Sequence, residues 1–140
     1  MQMLARRRFA QCAVCAAIGL TASEVKAESP GLQTSGTTRT ILQRTEFPGE
    51  KYATVLVSGE VAPGAVVARH THPGVESAFV LEGEGIFLVK GKPDLQFKAG
   101  DNWQVQPEVP HSLRNGNKLT KLAITYVVEK DKPLASPAPE

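Results

Sequence analysis

The stretch from Gly64 to Gly83 reads GAVVARHTHPGVESAFVLEG, with two histidines, His70 and His72, followed by a carboxylate at Glu76. On a helix, residues two apart point to nearly opposite sides, whereas on a β-strand they face the same way. A strand therefore lets the two imidazoles converge. The pair Pro73-Gly74 then predicts a tight turn that folds Glu76 back toward them. The stretch predicts two strands, joined by a turn, that carry three metal ligands.

Short apolar runs separated by glycine and proline turns continue along the chain from about residue 40 to residue 129. Turn pairs recur at Pro48-Gly49, Pro63-Gly64 and Gly100-Asp101. Nine or ten short strands at this spacing, with no stretch of helical period, predict an all-β sandwich or barrel. Because the chain has 140 residues, we expect a single domain.

The N-terminal segment, residues 1–27, predicts a cleaved export signal. Three arginines precede a short apolar run, and Ala27 offers the small residue that a signal peptidase requires. The run is too short to span a membrane, and it lacks the polar positions of an amphipathic helix packed on the domain. Arg6-Arg7-Arg8-Phe9 resembles the R-R-x-F core of twin-arginine signals. We expect a periplasmic protein, and the twin-arginine and general export routes both stay open.

Removing residues 1–27 changes the charge and the cysteine content of the protein. The remaining chain has 12 basic and 13 acidic residues and contains neither Cys12 nor Cys15. We therefore expect no nucleic-acid partner, no membrane association after cleavage, and no cysteine ligand or disulfide. Residues 28–37 are small and polar and predict a flexible lead-in, whereas the proline-rich residues 131–140 predict a disordered tail.

A second segment, Gly100 to Asn115, brings a further histidine. His111 follows two prolines that hold the chain extended, and it opens a new strand from which an imidazole can point into a barrel. With His70, His72 and Glu76 it makes a set of three nitrogens and one oxygen. The chain has three histidines in all, and each lies at one of these positions. This coincidence favours a metal site over separate surface roles.

These two segments resemble the two motifs of the cupin superfamily. The first motif is met at each fixed position by Gly64, His70, His72, Glu76 and Gly83. The second is met by Gly100, His111 and Asn115, whereas Gln106 and Glu108 stand where the pattern has proline and glycine.

The resemblance implies a single-domain, double-stranded β-helix, the cupin jelly-roll barrel, over residues 38–130. It also implies a metal inside the barrel and often a homodimer. Imidazole and carboxylate ligands without sulfur suit Fe, Mn, Ni, Co, Cu or Zn. Four protein ligands with two adjacent open positions suit a six-coordinate ion, so we expect Fe or Mn.

The residues that line the predicted cavity can be inferred because side chains alternate between the two faces of the strands that carry the ligands. Ala78, Val80 and Leu113 have the same parity as the ligands on their strands and are candidate substrate-binding residues. Trp103 and Tyr126 could stack on a substrate or belong to the core. We expect such a wall to hold an apolar or aromatic compound better than a sugar.

We therefore predict a metal-dependent enzyme of small molecules, similar to quercetinase-like cupin dioxygenases. The metal would orient substrate and O₂, and Glu76 is a candidate proton shuttle. Two alternatives stay open: a redox-neutral isomerase or lyase acting on a sugar acid or small carboxylate, and a non-catalytic protein that binds a ligand through the metal. An arginine or lysine inside the cavity would favour the isomerase or lyase.

Overall fold

A computed structural model describes residues 35–139, and these residues form β-strands joined by turns. The predicted export signal and residues 28–34 of the predicted lead-in lie outside the described residues. Within the described range no helix is long and apolar enough to cross a membrane. The ten strands are β1 (Thr37–Glu46), β2 (Tyr52–Val61), β3 (Val66–Thr71), β4 (Gly74–Glu82), β5 (Glu84–Val89), β6 (Leu95–Lys98), β7 (Asn102–Val105), β8 (His111–Asn115), β9 (Thr120–Glu129) and β10 (Ser136–Pro137).

The strands form two five-stranded antiparallel sheets that face each other. The first sheet has the order β1-β2-β9-β4-β7, and the second has the order β10-β3-β8-β5-β6. Consecutive strands often lie in different sheets, as expected for a jelly roll. The predicted all-β, double-stranded β-helix is confirmed.

The core lies between the sheets and is built from alternate residues of each strand. In β9, Leu122, Ile124, Tyr126 and Val128 are buried while their sequence neighbours are partly or fully exposed. The inward residues of β2 and β4 follow the same alternation. This period of two places apolar side chains in the space between the sheets, where their removal from water stabilises the fold.

The turn at Pro73-Gly74 depends on the absence of a side chain at Gly74. A Cβ atom there would lie 2.0 Å from the carbonyl oxygen of Val127 on the paired strand β9. The backbone amide of Glu129 also donates to the carbonyl of Pro73. The close approach therefore anchors the start of β4, from which Glu76 points inward.

Asn115, the last residue of the second motif, ties together three chain segments. Its side-chain amide donates to the carbonyl oxygens of Val61, Ala62 and Lys118, each at 2.8 Å. Its side-chain oxygen accepts a hydrogen bond from the hydroxyl of Thr120 at 2.6 Å. This residue is therefore structural, and it secures the end of the strand that His111 begins.

The segment after β9 differs from the predicted disordered tail. Ser136 and Pro137 pair with Thr71 and His70 of β3, and Ala135 is buried. Pro137 is tolerated because β10 lies at the edge of its sheet, where the missing N–H need not donate to a further strand. The prediction of a disordered tail was wrong because it relied on the proline content of the segment. It did not consider that the apolar side chain of Ala135 could be buried against the barrel.

The loop before His111 keeps a glycine-like backbone although the second motif has lost its glycine. Glu108 has φ = 59°, the one positive φ at a non-glycine position among residues 35–139. Its amide donates to the carbonyl of His72 at 2.9 Å, and the amide of Val109 donates to the carbonyl of Gln106 at 3.3 Å. These bonds hold the strained conformation, which costs a residue with a side chain about 1–2 kcal/mol.

Replacing Glu108 by glycine is therefore expected to stabilise the protein. Relief of the left-handed strain exceeds the entropic cost of glycine in the unfolded chain by about 0.5–1 kcal/mol, equivalent to a rise of about 2–6 °C in melting temperature. Thermal unfolding followed by circular dichroism measures the change. The matched control Glu108→Ala keeps a side chain at the same φ and should show no such rise. An equal rise in both variants would contradict this explanation.

Candidate metal centre

Four buried side chains meet between the two sheets: His70 from β3, His72 just beyond its end, Glu76 from β4 and His111 at the start of β8. Each is at most 5% exposed. One nitrogen or carboxylate oxygen from each of the four residues lies within 4.8 Å of the others. His70 and His111 are register partners across β3 and β8, which brings the two motifs together. The structure thus gathers all four predicted ligands into one cluster.

Each of the three imidazoles is oriented by a backbone carbonyl. The Nδ1 atoms of His70, His72 and His111 lie 2.8, 2.5 and 2.9 Å from the carbonyl oxygens of residues 68, 134 and 109. A carbonyl only accepts hydrogen bonds, so each Nδ1 carries the hydrogen. Each Nε2 is then a lone-pair donor turned toward the cluster, as in histidines that bind metal.

The two carboxylate oxygens of Glu76 have different neighbours: one contacts Trp103 and the other faces the histidines. Its Oε1 accepts a hydrogen bond of 3.0 Å from the indole N–H of Trp103, which is buried with it. Its Oε2 lies 2.9 Å from Nε2 of His72 and 3.5 Å from Nε2 of His111. The indole therefore holds the carboxylate in place and leaves one oxygen to face the imidazoles.

The atoms that face one another in the cluster are electron-pair donors without a shared hydrogen. The Nε2 atoms of His72 and His111 are buried and have no hydrogen-bond partner among the described residues. Several buried lone pairs that converge in this way repel one another and lack the solvation of water. A cation placed among them removes both penalties. The donor set therefore fits a divalent transition metal, which could be held by His70, His72, Glu76 and His111.

The protonation states also suit metal binding. Burial lowers the pKa of His70 from 6.5 to about 3, and the neighbouring charges of His111, Arg39 and His72 add to this effect. Burial alone would raise the pKa of Glu76, but a hydrogen bond or positive charge on the side of His111 and His72 outweighs burial and holds that pKa well below its usual range. A metal cation among the donors would act in the same direction. At neutral pH the site thus offers a neutral imidazole at His70 and an ionised carboxylate, the forms that coordinate metals.

A cavity of about 40 Å³ adjoins the cluster. Its apolar wall includes Val67, Phe87, Leu113, Ile124 and Trp103. This volume is enough for about three water molecules. The site therefore suits a small molecule in its present conformation.

The four predicted substrate-binding residues have different positions. Leu113 and Trp103 line the cavity, and the ring of Trp103 also stacks on Phe87 with 4.3 Å between centroids. Ala78 and Val80 have the predicted inward parity, but they are buried in the core and are not among the residues that line this cavity. Their proposed contacts with substrate stay a prediction.

Arg39 is a site residue that the sequence did not indicate. It lies on β1 and lines the cavity, and its Nη2 atom donates a hydrogen bond of 3.3 Å to Nε2 of His70. None of the carboxylates in residues 35–139 pairs with it within 4.0 Å. Its inward direction follows from the register between β1 and β2, where Arg39 pairs with Gly59. No motif or local spacing could have shown this.

Tyr126 is the second functional candidate revealed by the fold. It is fully buried, lines the cavity and leaves its hydroxyl without a hydrogen-bond partner among the described residues. Burial raises the pKa of Tyr126 well above its ordinary value, and the nearby charge of Glu76 raises it further. The side chain is therefore a neutral phenol with a free O–H group at the edge of the metal cluster.

Loss of a ligand is expected to empty the site without unfolding the barrel. His70→Ala and His111→Ala should each lower metal affinity by more than about 100-fold, because each removes one of four donors. Metal content after dialysis and far-ultraviolet circular dichroism measure the two effects. Thr71→Val, which alters the residue between His70 and His72, is the matched control. Full metal occupancy in either histidine variant would contradict the assignment.

The metal-free protein is expected to lose stability as the pH falls from about 6.5 to 3. Between these pH values His70 takes up a proton in the unfolded chain but stays neutral in the folded protein. The free energy of unfolding therefore decreases as the pH falls. Glu76 acts in the same direction, because the stability from its lowered pKa is lost as the pH falls through its folded value. Melting temperature against pH measures the effect, and His70→Gln should show a shallower decrease. Unchanged stability between pH 7 and 4 would contradict these pKa shifts.

Comparison with known proteins agrees with this geometry. The cupin domain family matches residues 57–128, about half of the chain, and this range contains all four candidate ligands. No curated protein sequence matches the chain. A cupin-like protein from Thermotoga maritima is 21% identical, with a TM-score of 0.60 over 82% of this chain and 88% of the other.

Two solved structures of enzymes are also similar. The DMSP lyase DddQ from Ruegeria pomeroyi is 19% identical, with a TM-score of 0.62 over 73% of this chain and 51% of the lyase. An oxalate oxidase in complex with glycolate is 20% identical, with a TM-score of 0.59 over 79% of this chain and 60% of the oxidase. The chain spans about half the length of the lyase, and at these identities the likeness shows the fold alone. Together with the fold and the two histidine-bearing motifs, the match over residues 57–128 shows that the chain belongs to the cupin domain family.

Proposed function

We propose that this cupin is a metal-dependent enzyme that acts on a small carboxylate without net oxidation, as an isomerase or a lyase. The observation that carries the proposal is the guanidinium of Arg39 inside the cavity, 3.3 Å from a candidate metal ligand. An arginine at this position favours the redox-neutral alternative over the oxygenase expected from an apolar wall.

The charges of the site support an anionic substrate. A divalent metal held by a single carboxylate, next to one guanidinium without a carboxylate partner in residues 35–139, leaves a net charge of about +2 in a largely apolar cavity. A ligand that carries negative charge would therefore bind favourably at such a site. A metal held by His70 would take the acceptor that Arg39 uses here, and the guanidinium would then be available for a charge-assisted pair with a substrate carboxylate.

The size of the cavity supports a compound with few non-hydrogen atoms. About 40 Å³ is far smaller than the several hundred Å³ typical of pockets for drug-sized ligands. A multi-ring aromatic substrate would require the wall to move. Two of the similar structures, a DMSP lyase and an oxalate oxidase that binds glycolate, show that this fold accommodates enzymes of small molecules.

The residues around the site have distinct roles in the proposed reaction. The metal, for which Fe or Mn is favoured, would supply Lewis-acid polarisation of a substrate oxygen. Arg39 binds the carboxylate, and the apolar side chains of Phe87 and Leu113 exclude water. The phenol of Tyr126 donates a hydrogen bond to an oxygen that gains negative charge. Both oxygens of Glu76 have near neighbours, so Tyr126 suits proton donation better than Glu76 does.

A panel of substrates with matched variants tests the proposal. Metal-loaded protein is incubated with hydroxy acids, keto acids and β-substituted acids of two to six carbons, and with their neutral methyl esters, while NMR follows the products and an electrode follows O₂. We expect turnover of an acid without O₂ consumption. Arg39→Gln should lower kcat/KM for the acid by roughly 30- to 150-fold, corresponding to about 2–3 kcal/mol for a lost charge-assisted hydrogen bond.

The same experiment contains its controls. Arg39→Gln should leave metal content unchanged, and Arg44→Gln, which alters an arginine on the same strand whose guanidinium donates to the carbonyl of Lys130, should leave kcat/KM unchanged. Equal turnover of esters and acids, or equal loss of activity in both variants, would contradict a carboxylate-binding role for Arg39.

The second candidate function is the oxygenase, which the apolar wall favours. Val67, Phe87, Leu113 and Ile124 give a lining that suits O₂ and an uncharged substrate. Consumption of O₂ with flavonols, catechols or diketones, unaffected by Arg39→Gln, would establish this alternative in place of the first.

A further inference from the structure

The C-terminal segment of residues 132–138, here called the C-terminal strap, crosses the outer edge of the sheet that carries two of the candidate ligands. Ser136 and Pro137 pair with Thr71 and His70 on β3. The amide of Ala138 donates to the carbonyl of Arg69 at 3.1 Å. The strap thus continues the sheet beyond β3 and follows the ligand-bearing stretch residue by residue.

Apolar contacts hold the first part of the strap against the barrel. The side chain of Leu134 is partly buried and packs on the hydrophobic core, and Ala135 is buried. The remaining strap residues are mostly exposed. The docking therefore depends on a small apolar contact and a few backbone hydrogen bonds, which is a weaker attachment than that of the central strands.

The three candidate histidines differ in where their carbonyl partners come from. His70 and His111 each bond the carbonyl of the residue two positions earlier, Ala68 and Val109, on the same piece of chain. His72 instead bonds the carbonyl of Leu134, 62 positions later in the sequence. The orientation of two imidazoles is therefore local, whereas that of His72 depends on the strap.

We propose that the C-terminal strap positions His72 for metal binding. The carbonyl of Leu134 keeps the hydrogen on Nδ1 of His72 and turns Nε2 toward Glu76, from which it lies 2.9 Å. Without the strap, the imidazole loses this partner and rotates among other orientations and tautomers. The proposal rests on the four-residue metal site and not on the reaction that the site performs.

The energetic consequence is a coupling between docking of the strap and binding of the metal. Carbonyl groups that orient metal-bound histidines typically contribute 10- to 100-fold to metal affinity. By linkage, bound metal stabilises the docked strap by the same factor. Undocking therefore weakens the site chiefly through His72, because the carbonyl partners of the His70 and His111 imidazoles do not lie on the strap.

Point variants of the full-length chain test the coupling. Leu134→Asp places a charge where an apolar side chain packs on the core, so the strap should undock. Ser136→Asp adds the same charge at an exposed position of the strap and is the matched control. Competition between each protein and a chelator for Co(II) measures affinity. We expect Leu134→Asp to bind Co(II) about 10- to 100-fold more weakly than the unaltered protein, and Ser136→Asp to bind within about twofold.

A second measurement separates positioning from general loss of structure. NMR of ¹⁵N-labelled histidine reports the tautomer of each imidazole in the metal-free protein. We expect the Nδ1–H tautomer of His72 to become mixed in Leu134→Asp, while those of His70 and His111 stay unchanged. Unaltered Co(II) affinity with the strap undocked, or equal changes at all three histidines, would overturn the proposal.

Deletion of residues 132–140 gives an independent variant, with deletion of residues 139–140 as its control. The longer deletion should reproduce the loss of affinity, and the shorter one should not. If the longer deletion prevents folding, the comparison of Leu134→Asp with Ser136→Asp in the full chain decides the matter. None of these measurements depends on catalytic activity. The test of the strap therefore stays valid even if the proposed reaction is wrong.

Discussion

The convergence of four electron-pair donors in an apolar interior is the constraint on which the rest of the site depends. Three imidazole nitrogens and a carboxylate oxygen lie within 4.8 Å of one another in a cluster that water barely reaches. Such an arrangement is costly unless a cation lies among the donors. Much of the surrounding structure acts to keep the lone pairs aimed inward. Backbone carbonyls hold the three Nδ1 hydrogens, and the indole of Trp103 holds the outer oxygen of Glu76.

The barrel makes this convergence possible by joining distant parts of the chain at short range. Antiparallel pairing of β3 with β8 places His70 opposite His111, and the tight turn at Gly74 returns Glu76 to the same space. The strained backbone at Glu108 belongs to the same system, because its amide bonds the carbonyl of His72. The strained backbone at Glu108 thus occurs where it supports the position of a candidate ligand. The other candidate ligands are positioned by rigid strands.

Two further polar groups beside the cluster come from the first sheet, which faces the strands that carry His70 and His111. Arg39 on β1 and Tyr126 on β9 bring a guanidinium and a free phenol to the cavity. Both are donors of hydrogen bonds, so they complement a metal site whose own atoms are acceptors. The candidate ligands thus lie on the two motifs, whereas the proposed substrate contacts of Arg39 and Tyr126 lie on other strands, so the fold by itself does not decide the reaction.

The four candidate metal ligands and the fold class could be predicted from the sequence because both depend on short-range patterns. Strand periodicity decides which side chains share a face, and the spacing of His70, His72, Glu76 and His111 carries the ligand set. Arg39, the Trp103–Glu76 hydrogen bond and the carbonyl of Leu134 could not be read in this way. The first two depend on the register between strands, and the third depends on where a proline-rich segment docks. Tertiary structure decided these features because strand register and tail docking are set by packing between residues far apart in sequence, which no local pattern records.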